Sequence, residues 1–412
     1  MSARTVDHLL VGGGIASATC ARTLRAEGAT GSIALIGREL DAPYHRPPIS
    51  KGYLTGRESR SDALVLPDGW WEENDVELMT RSSVTAIDVA AKTATLQSKE
   101  EIGFGQALVA TGAMVRRLDV EGADLEGIHY LRALGNADSL RRDLAGAERI
   151  VCVGGSYIAC EVAASLTELG HSCTLVMQEE VTLERGFGQR AGRRVQSVLE
   201  DHGVKVIAAD EVERFTGADE KLTGVVTQGG RELPADVVVA GVGAIPDVML
   251  ARRSQLELGP LGGVATDARL ESSAPGVFAA GDICEYDSVV HGRPMRIEHE
   301  EVAAAQGATV ARSMLGSREP HREVPYFFSD LSEWASLEYV GPALEWDQEV
   351  VRGDEGSGTF SVWYLGDGRV RALLSFGRSE DLDDARRLIA SGASVAEHRE
   401  ALGDPAANLS AI

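Results

Sequence analysis

Two apolar runs, His8-Leu9-Leu10-Val11 and Ile150-Val151-Cys152-Val153, each end in a glycine-rich turn that opens a helical pattern. The turns read Gly12-Gly13-Gly14-Ile15-Ala16-Ser17 and Gly154-Gly155-Ser156-Tyr157-Ile158-Ala159. In such a loop the first glycine makes the tight turn and the second lets the backbone approach a pyrophosphate. The third small residue lets helix and strand pack closely. The phosphate then rests on the positive end of the helix. One such turn is a weak signal, because glycine turns after strands are common. Two, each between a strand and a helix, imply two nucleotide sites in an α/β protein. That is the arrangement of an enzyme that moves electrons from one dinucleotide to another.

The two loops differ in quality. Gly12 and Gly14 are intact, with Ser17 small enough for the third position. In the second loop Gly154 and Gly155 are followed by Ser156 at the second position and Ala159 at the third. Ser156 can still approach a phosphate and add a hydroxyl; the competing reading is an ordinary strand-to-helix turn. An acid after the second strand of each unit holds ribose hydroxyls. The candidates are Arg38-Glu39 in the first unit and Glu179 within Gln178-Glu179-Glu180 in the second. An arginine there would welcome the extra phosphate of NADP, whereas acids repel it. NADH is therefore the expected nucleotide, unless these acids are merely solvated.

At 412 residues the chain is too long for one ordinary core, so two or three domains are expected. A net charge of −23 argues against nucleic acid or an anionic membrane as partner. No apolar run approaches the roughly 20 residues of a membrane helix. The first strand begins within a few residues of Met1, so a cytoplasmic location is expected. The cysteines Cys20, Cys152, Cys160, Cys173 and Cys284 form no Cys-x-x-Cys or other close pair, so the redox pair normally carried by a two-nucleotide flavoprotein that reduces disulfides is not visible. His8, His129, His171 and His202 are scattered, and no Cys/His group has metal spacing.

Strand and helix patterns alternate through both halves, which implies parallel sheets with crossover helices. Strands are expected at 6–11, 32–36, 150–153 and 172–177, and helices at 15–27 and 157–169. Beyond Pro325 the pattern changes to alternating, aromatic strands such as 360–365 and 370–376, then a helix at 381–389. The polar tail beyond Ser391 is expected to fray.

The segment Pro43-Tyr44-His45-Arg46-Pro47-Pro48-Ile49-Ser50-Lys51 resembles a block of the FAD-dependent NADH:ferredoxin reductases and their relatives. Those relatives include rubredoxin reductases, apoptosis-inducing factor and monodehydroascorbate reductase. Ala110-Thr111-Gly112, Ala279-Ala280-Gly281-Asp282, Arg296-Ile297-Glu298-His299 and Pro325-Tyr326-Phe327-Phe328-Ser329-Asp330 match further blocks, in family order. The resemblance reaches to about Ile389 and so covers nearly the whole chain. It departs from the bacterial ferredoxin reductases at Tyr326 and Phe328, where many have tryptophan, and at 331–341, which looks more like the apoptosis-inducing-factor branch.

The resemblance implies a glutathione-reductase-like architecture of two Rossmann-like dinucleotide-binding domains and a C-terminal α+β domain. FAD would occupy residues 1–115 and 247–324, NADH residues 116–246, and residues 325–412 would form the C-terminal domain. Gly12, Gly14, Ile15, Ala16 and Ser17 would cradle the FAD pyrophosphate, and Arg38 and Glu39 would flank its ribose. Arg46 and Arg116 would neutralise phosphate charge, and Asp282 would bind the ribityl chain. Glu298 and His299 would open a helix facing the pyrimidine end of the flavin. Val84, Ala110, Thr111, Gly112, Gly281, Phe328 and Glu338 would complete the flavin site. Gly154, Gly155, Ser156, Tyr157, Ile158, Glu179 and Gly243 would take the nicotinamide dinucleotide. Lys51 would stand beside the flavin and pair with Glu161, although Lys51 as a surface lysine and Glu161 as an exposed helix acid are the plainer readings. The implied partner is a ferredoxin or rubredoxin serving an oxygenase, with the enzyme a monomer or homodimer. The alternatives are an NADH-dependent reductase of a quinone, oxygen or an organic radical, or a redox sensor like apoptosis-inducing factor.

Overall fold

The computed structural model describes residues 4–412. The chain packs as two compact units. The first comprises Met1–His45, Ser61–Met114 and Ile245–Phe327, the second Arg46–Arg60, Val115–Ala244 and Phe328–Ile412.

The first unit is built on a seven-stranded sheet. Strand Arg4–Val11 lies in parallel between Ile33–Ile36 and Glu101–Val109, with Val11 level with both Ile36 and Val109. Val277–Ala279 adds in parallel to Glu101–Val109. The interior strands are near-continuous apolar runs because both faces are covered. Helix Ile15–Ala26 packs on this sheet and against Glu300–Met314. The two helices come close at Gly307, where any side chain would strike the carbonyl of Ala16.

The second unit repeats the device. Its five-stranded parallel sheet runs Lys205–Ile207, Ser172–Val176, Arg149–Val153, Val237–Ala240, Ile128–His129. Helix Tyr157–Glu168 follows the central strand. A further sheet has the order Tyr326–Leu331, Ala335–Val340, Arg369–Phe376, Thr359–Gly366, Gln348–Asp354. Helix Leu382–Ser391 covers it through Leu382, Ala385, Leu388 and Ile389.

The tail departs from expectation. Residues 396–412 form short helical turns with Leu402 and Leu409 buried. Arg352, itself buried, pairs with Asp381 at 3.0 Å and donates to the carbonyls of Ala401, Asp404, Pro405 and Ala407. A polar segment that satisfies a buried guanidinium is anchored, so composition alone misjudged it.

Candidate functional site

The two glycine loops are built alike. Gly12 N–H donates to Ile36 O at 2.9 Å, and Gly154 N–H donates to Val176 O at 2.8 Å. Each leading glycine has a positive φ, +124° and +112°. Each also faces a carbonyl that a Cβ would strike, that of Ala110 for Gly12 and that of Gly241 for Gly154. Only glycine meets both demands. Gly14 and Ser156 are the extended N-cap residues of the following helices, and neither side of the cap is closed by a side chain. The free N–H groups of both helix starts are therefore left to bind an anion.

The substitutions in the second loop have local explanations. Ser156 Oγ donates to Gly241 O at 2.9 Å, so its proton ties the loop to the neighbouring strand end. Ala159 is fully buried, and the close approach expected of a third glycine is provided by Gly241, whose Cβ would lie 2.8 Å from Ala159 N. Gly155 lies under Met177 and Glu179. Tyr157 stands edge-on to Phe187 at 5.9 Å, and burial raises its phenol. Ile158 is half-buried, and Gly243 has φ +102° and accepts from Arg116 N–H at 2.9 Å.

Around the first loop, Ile15 and Ala16 pack into the core, and Ser17 is fully buried with its hydroxyl unpartnered. Val84 opens a strand that packs on the same core. Arg38 pairs with Asp247 at 2.8 Å, and Thr111 donates to the Asp247 carbonyl at 2.8 Å. Glu39 accepts from the Tyr44 hydroxyl. Gly112 takes φ +71° and accepts from Asp247 N–H. Gly281, at φ +77°, donates to Gln306 Oε1 at 2.8 Å. The Asp282 carbonyl accepts from Arg296, which also pairs with Glu298 at 2.5 Å. His299 is the extended residue before helix Glu300–Met314, makes no side-chain cap, and lies 4.4 Å from the Phe327 ring. Burial pushes His299 down to about 4, against the pull of Asp282, and its Nδ1 has no partner. His45 Nδ1 meets Glu300 Oε1 at 2.6 Å, and that hydrogen bond raises the imidazole pKa.

The second unit gathers a separate cluster. Lys51 Nζ lies 3.3 Å from Glu161 Oε1 and 3.3 Å from Asp330 Oδ2. Glu161 is 5% exposed and accepts from Ser50 Oγ and Ser329 Oγ, each at 2.6 Å. Lys51 Nζ stands 4.7 Å from the centre of the half-exposed Phe328 ring. Glu338 accepts from Ser379. Arg46 donates to the Arg132 carbonyl, and the Arg116 side chain is exposed. Lys51 and Glu161 are thus neither a surface lysine nor an exposed acid. Sequence reasoning quoted Ser50, Ser329 and Asp330 inside motifs without giving them a role. It missed Asp247, which no local pattern marks.

A model of the pyridine nucleotide-disulphide oxidoreductase family matches residues 6–308, and a reductase C-terminal model matches residues 326–412. The chain belongs to the pyridine nucleotide-disulphide oxidoreductase family. A ferredoxin–NAD(P)+ reductase of Sphingomonas sp. is 32% identical over 391 residues, covering 94% of each chain. The ferredoxin–NAD+ reductase subunit of a benzene 1,2-dioxygenase system from Pseudomonas putida is 33% identical, over 97% of this chain and 96% of that protein. The crystal structure of the ferredoxin reductase for the CYP199A2 system from Rhodopseudomonas palustris has a TM-score of 0.92 and 30% identity, covering 98% of both chains.

Members of the pyridine nucleotide-disulphide oxidoreductase family use FAD and a nicotinamide dinucleotide. The first unit fits FAD: its loop admits only glycine at 12, and Ser17 Oγ, His299 Nδ1 and Gln306 Nε2 are buried polar atoms awaiting partners. All five cysteines are buried and unpaired. Burial pushes Cys173 up to about 11 and Cys284 up to about 12.

Proposed function

We propose that this chain is an FAD-dependent NADH:ferredoxin-type oxidoreductase serving an oxygenase, working in the cytoplasm. The observation that carries the reading is the ion pair between Lys51 and the buried Glu161, which lies on the helix behind the second nucleotide loop, in a chain whose first loop also admits only glycine at its turn. The names of its relatives, reductases of ferredoxin in oxygenase systems, support it. Bound FAD supplies the conversion of a two-electron hydride into single electrons for an iron–sulfur protein or rubredoxin.

In this reading residues 1–115 and 247–324 serve FAD, 116–246 serve NADH, and 325–412 form the C-terminal domain. Gly12, Gly14 and the amides opening helix Ile15–Ala26 hold the FAD pyrophosphate. Asp282 holds its ribityl chain. The amide end of helix Glu300–Met314, which begins after His299 and is closed by no side chain, favours the negative charge that reduction creates. Lys51 supplies a cation to the reaction, and its position is fixed by Glu161, which is itself held by the hydroxyls of Ser50 and Ser329.

The test is direct. The purified protein carries a flavin absorption band that bleaches anaerobically with NADH, and a [2Fe–2S] ferredoxin or rubredoxin restores it over many turnovers. Turnover with a quinone but with neither iron protein would replace this reading by a small-molecule reductase.

A further inference from the structure

The turn after the second unit's middle strand holds an ion pair that the reading above leaves unused. Strand Ser172–Val176 is followed by buried Met177 and exposed Gln178, so the first carboxylate beyond it is Glu179. Glu179 Oε2 lies against the nucleotide loop, where a Cβ on Gly155 would be 3.0 Å away. Glu179 Oε1 is 2.7 Å from Nε of Arg185, in the first turn of helix Glu184–Asp201. The Arg185 side chain is 76% exposed, against 17% for Glu179. Its backbone is fixed by contrast: Glu184 accepts from the N–H groups of Glu180 and Val181 at 3.0 and 3.4 Å and pins the helix start to the strand end. Arg185 therefore has an anchored base and a solvated head.

A carboxylate at this place accepts ribose hydroxyls and repels a 2′-phosphate. Glu179 does both with one oxygen already neutralised. The group that neutralises it is a planar fork suited to bidentate phosphate binding. A small turn of an exposed side chain would move that fork from Glu179 to a 2′-phosphate. Glu180 and Glu184 keep the surroundings acidic, which preserves the advantage of the unphosphorylated ribose.

We propose that Arg185 is the specificity-determining residue for the nicotinamide nucleotide: paired with Glu179 it admits NADH, and released from it Arg185 binds the 2′-phosphate of NADPH. The enzyme then prefers NADH yet uses NADPH. The proposal rests on the second loop being the nicotinamide dinucleotide site.

Titration calorimetry of the holoenzyme with 5′-ADP and adenosine 2′,5′-bisphosphate tests it apart from catalysis. Arg185→Ala should weaken the bisphosphate by about tenfold or more, the scale of a lost charge-assisted pair. It should leave 5′-ADP within about twofold, because the ribose acid remains. Arg185→Lys should recover part of the loss, and Glu179→Gln should tighten the bisphosphate. In turnover, Arg185→Ala should raise the KM for NADPH and leave kcat unchanged. Equal weakening of both ligands, no change in either, or a wild-type enzyme that ignores the bisphosphate would each overturn the proposal. Should NADH fail to reduce the flavin, the proposed function falls, while the two affinities still decide the role of Arg185.

Discussion

The Lys51 ammonium and the Glu161 carboxylate form a 3.3 Å ion pair in which the carboxylate is almost wholly withdrawn from water. Removing one member of such a pair strands the other. Glu161→Ala should therefore cost about 3–5 kcal/mol of stability. Asp330, the second partner of Lys51, holds the loss toward the lower end. Lys51→Met should slow anaerobic flavin reduction by NADH about tenfold or more, the size expected when a charge that favours the transition state is removed. Stopped-flow traces that match wild type would deny Lys51 any part in the reaction.

Gly12 offers a cleaner separation of binding from chemistry. Its φ of +124° and the Ala110 carbonyl leave no place for a methyl group. Gly12→Ala should give a folded protein that purifies with little flavin, read as the ratio of flavin to protein absorbance. Full flavin content in that variant would place the FAD elsewhere.

Ser156 poses the opposite expectation. Its proton is committed to the Gly241 carbonyl, so it is not available to donate to a nucleotide phosphate. Ser156→Ala should lower stability by about 1 kcal/mol, the net worth of one hydrogen bond, with the KM for NADH nearly unchanged. A KM raised tenfold at unchanged stability would show instead that the hydroxyl binds the phosphate.

Acid should act first through buried histidine. Burial pushes His321 down to about 4, and it is 2% exposed. The unfolded chain takes up this proton near pH 6.5, so the stability conferred by neutral His321 is complete above that pH and lost as pH falls toward 4. The loss is on the order of 3 kcal/mol. His299 shifts in the same direction. Chemical-denaturation midpoints should fall between pH 7 and pH 4.5, and His321→Gln, which keeps a partner for Thr309 but cannot charge, should fall less. Parallel curves for the two proteins would assign the acid limb to other groups.

Much of this fold was legible because it is repetitive and local. The expected strands at 6–11 and 150–153 appear as Arg4–Val11 and Arg149–Val153, and the helices at 15–27 and 157–169 as Ile15–Ala26 and Tyr157–Glu168. Apolar runs and glycine turns act over a few residues, so a linear reading finds them. The contacts made by Asp247 with Arg38 and Thr111, and by Arg352 with the tail, join residues far apart in sequence. No pattern announces them. Arg185 was hidden for another reason: the turn between it and Glu179 includes Leu183 in the left-handed region, at φ +55°. Spacing rules for regular elements do not carry across such a turn.

The buried thiols have a practical consequence. With Cys20, Cys152, Cys160, Cys173 and Cys284 all inside the protein and each raised in pKa, the native surface offers nothing to a maleimide. One cysteine introduced near Phe328 would be the sole addressable site. The chain is in effect ready for single-point attachment to an electrode, a dye or a crosslinked redox partner, with no native thiol to remove first.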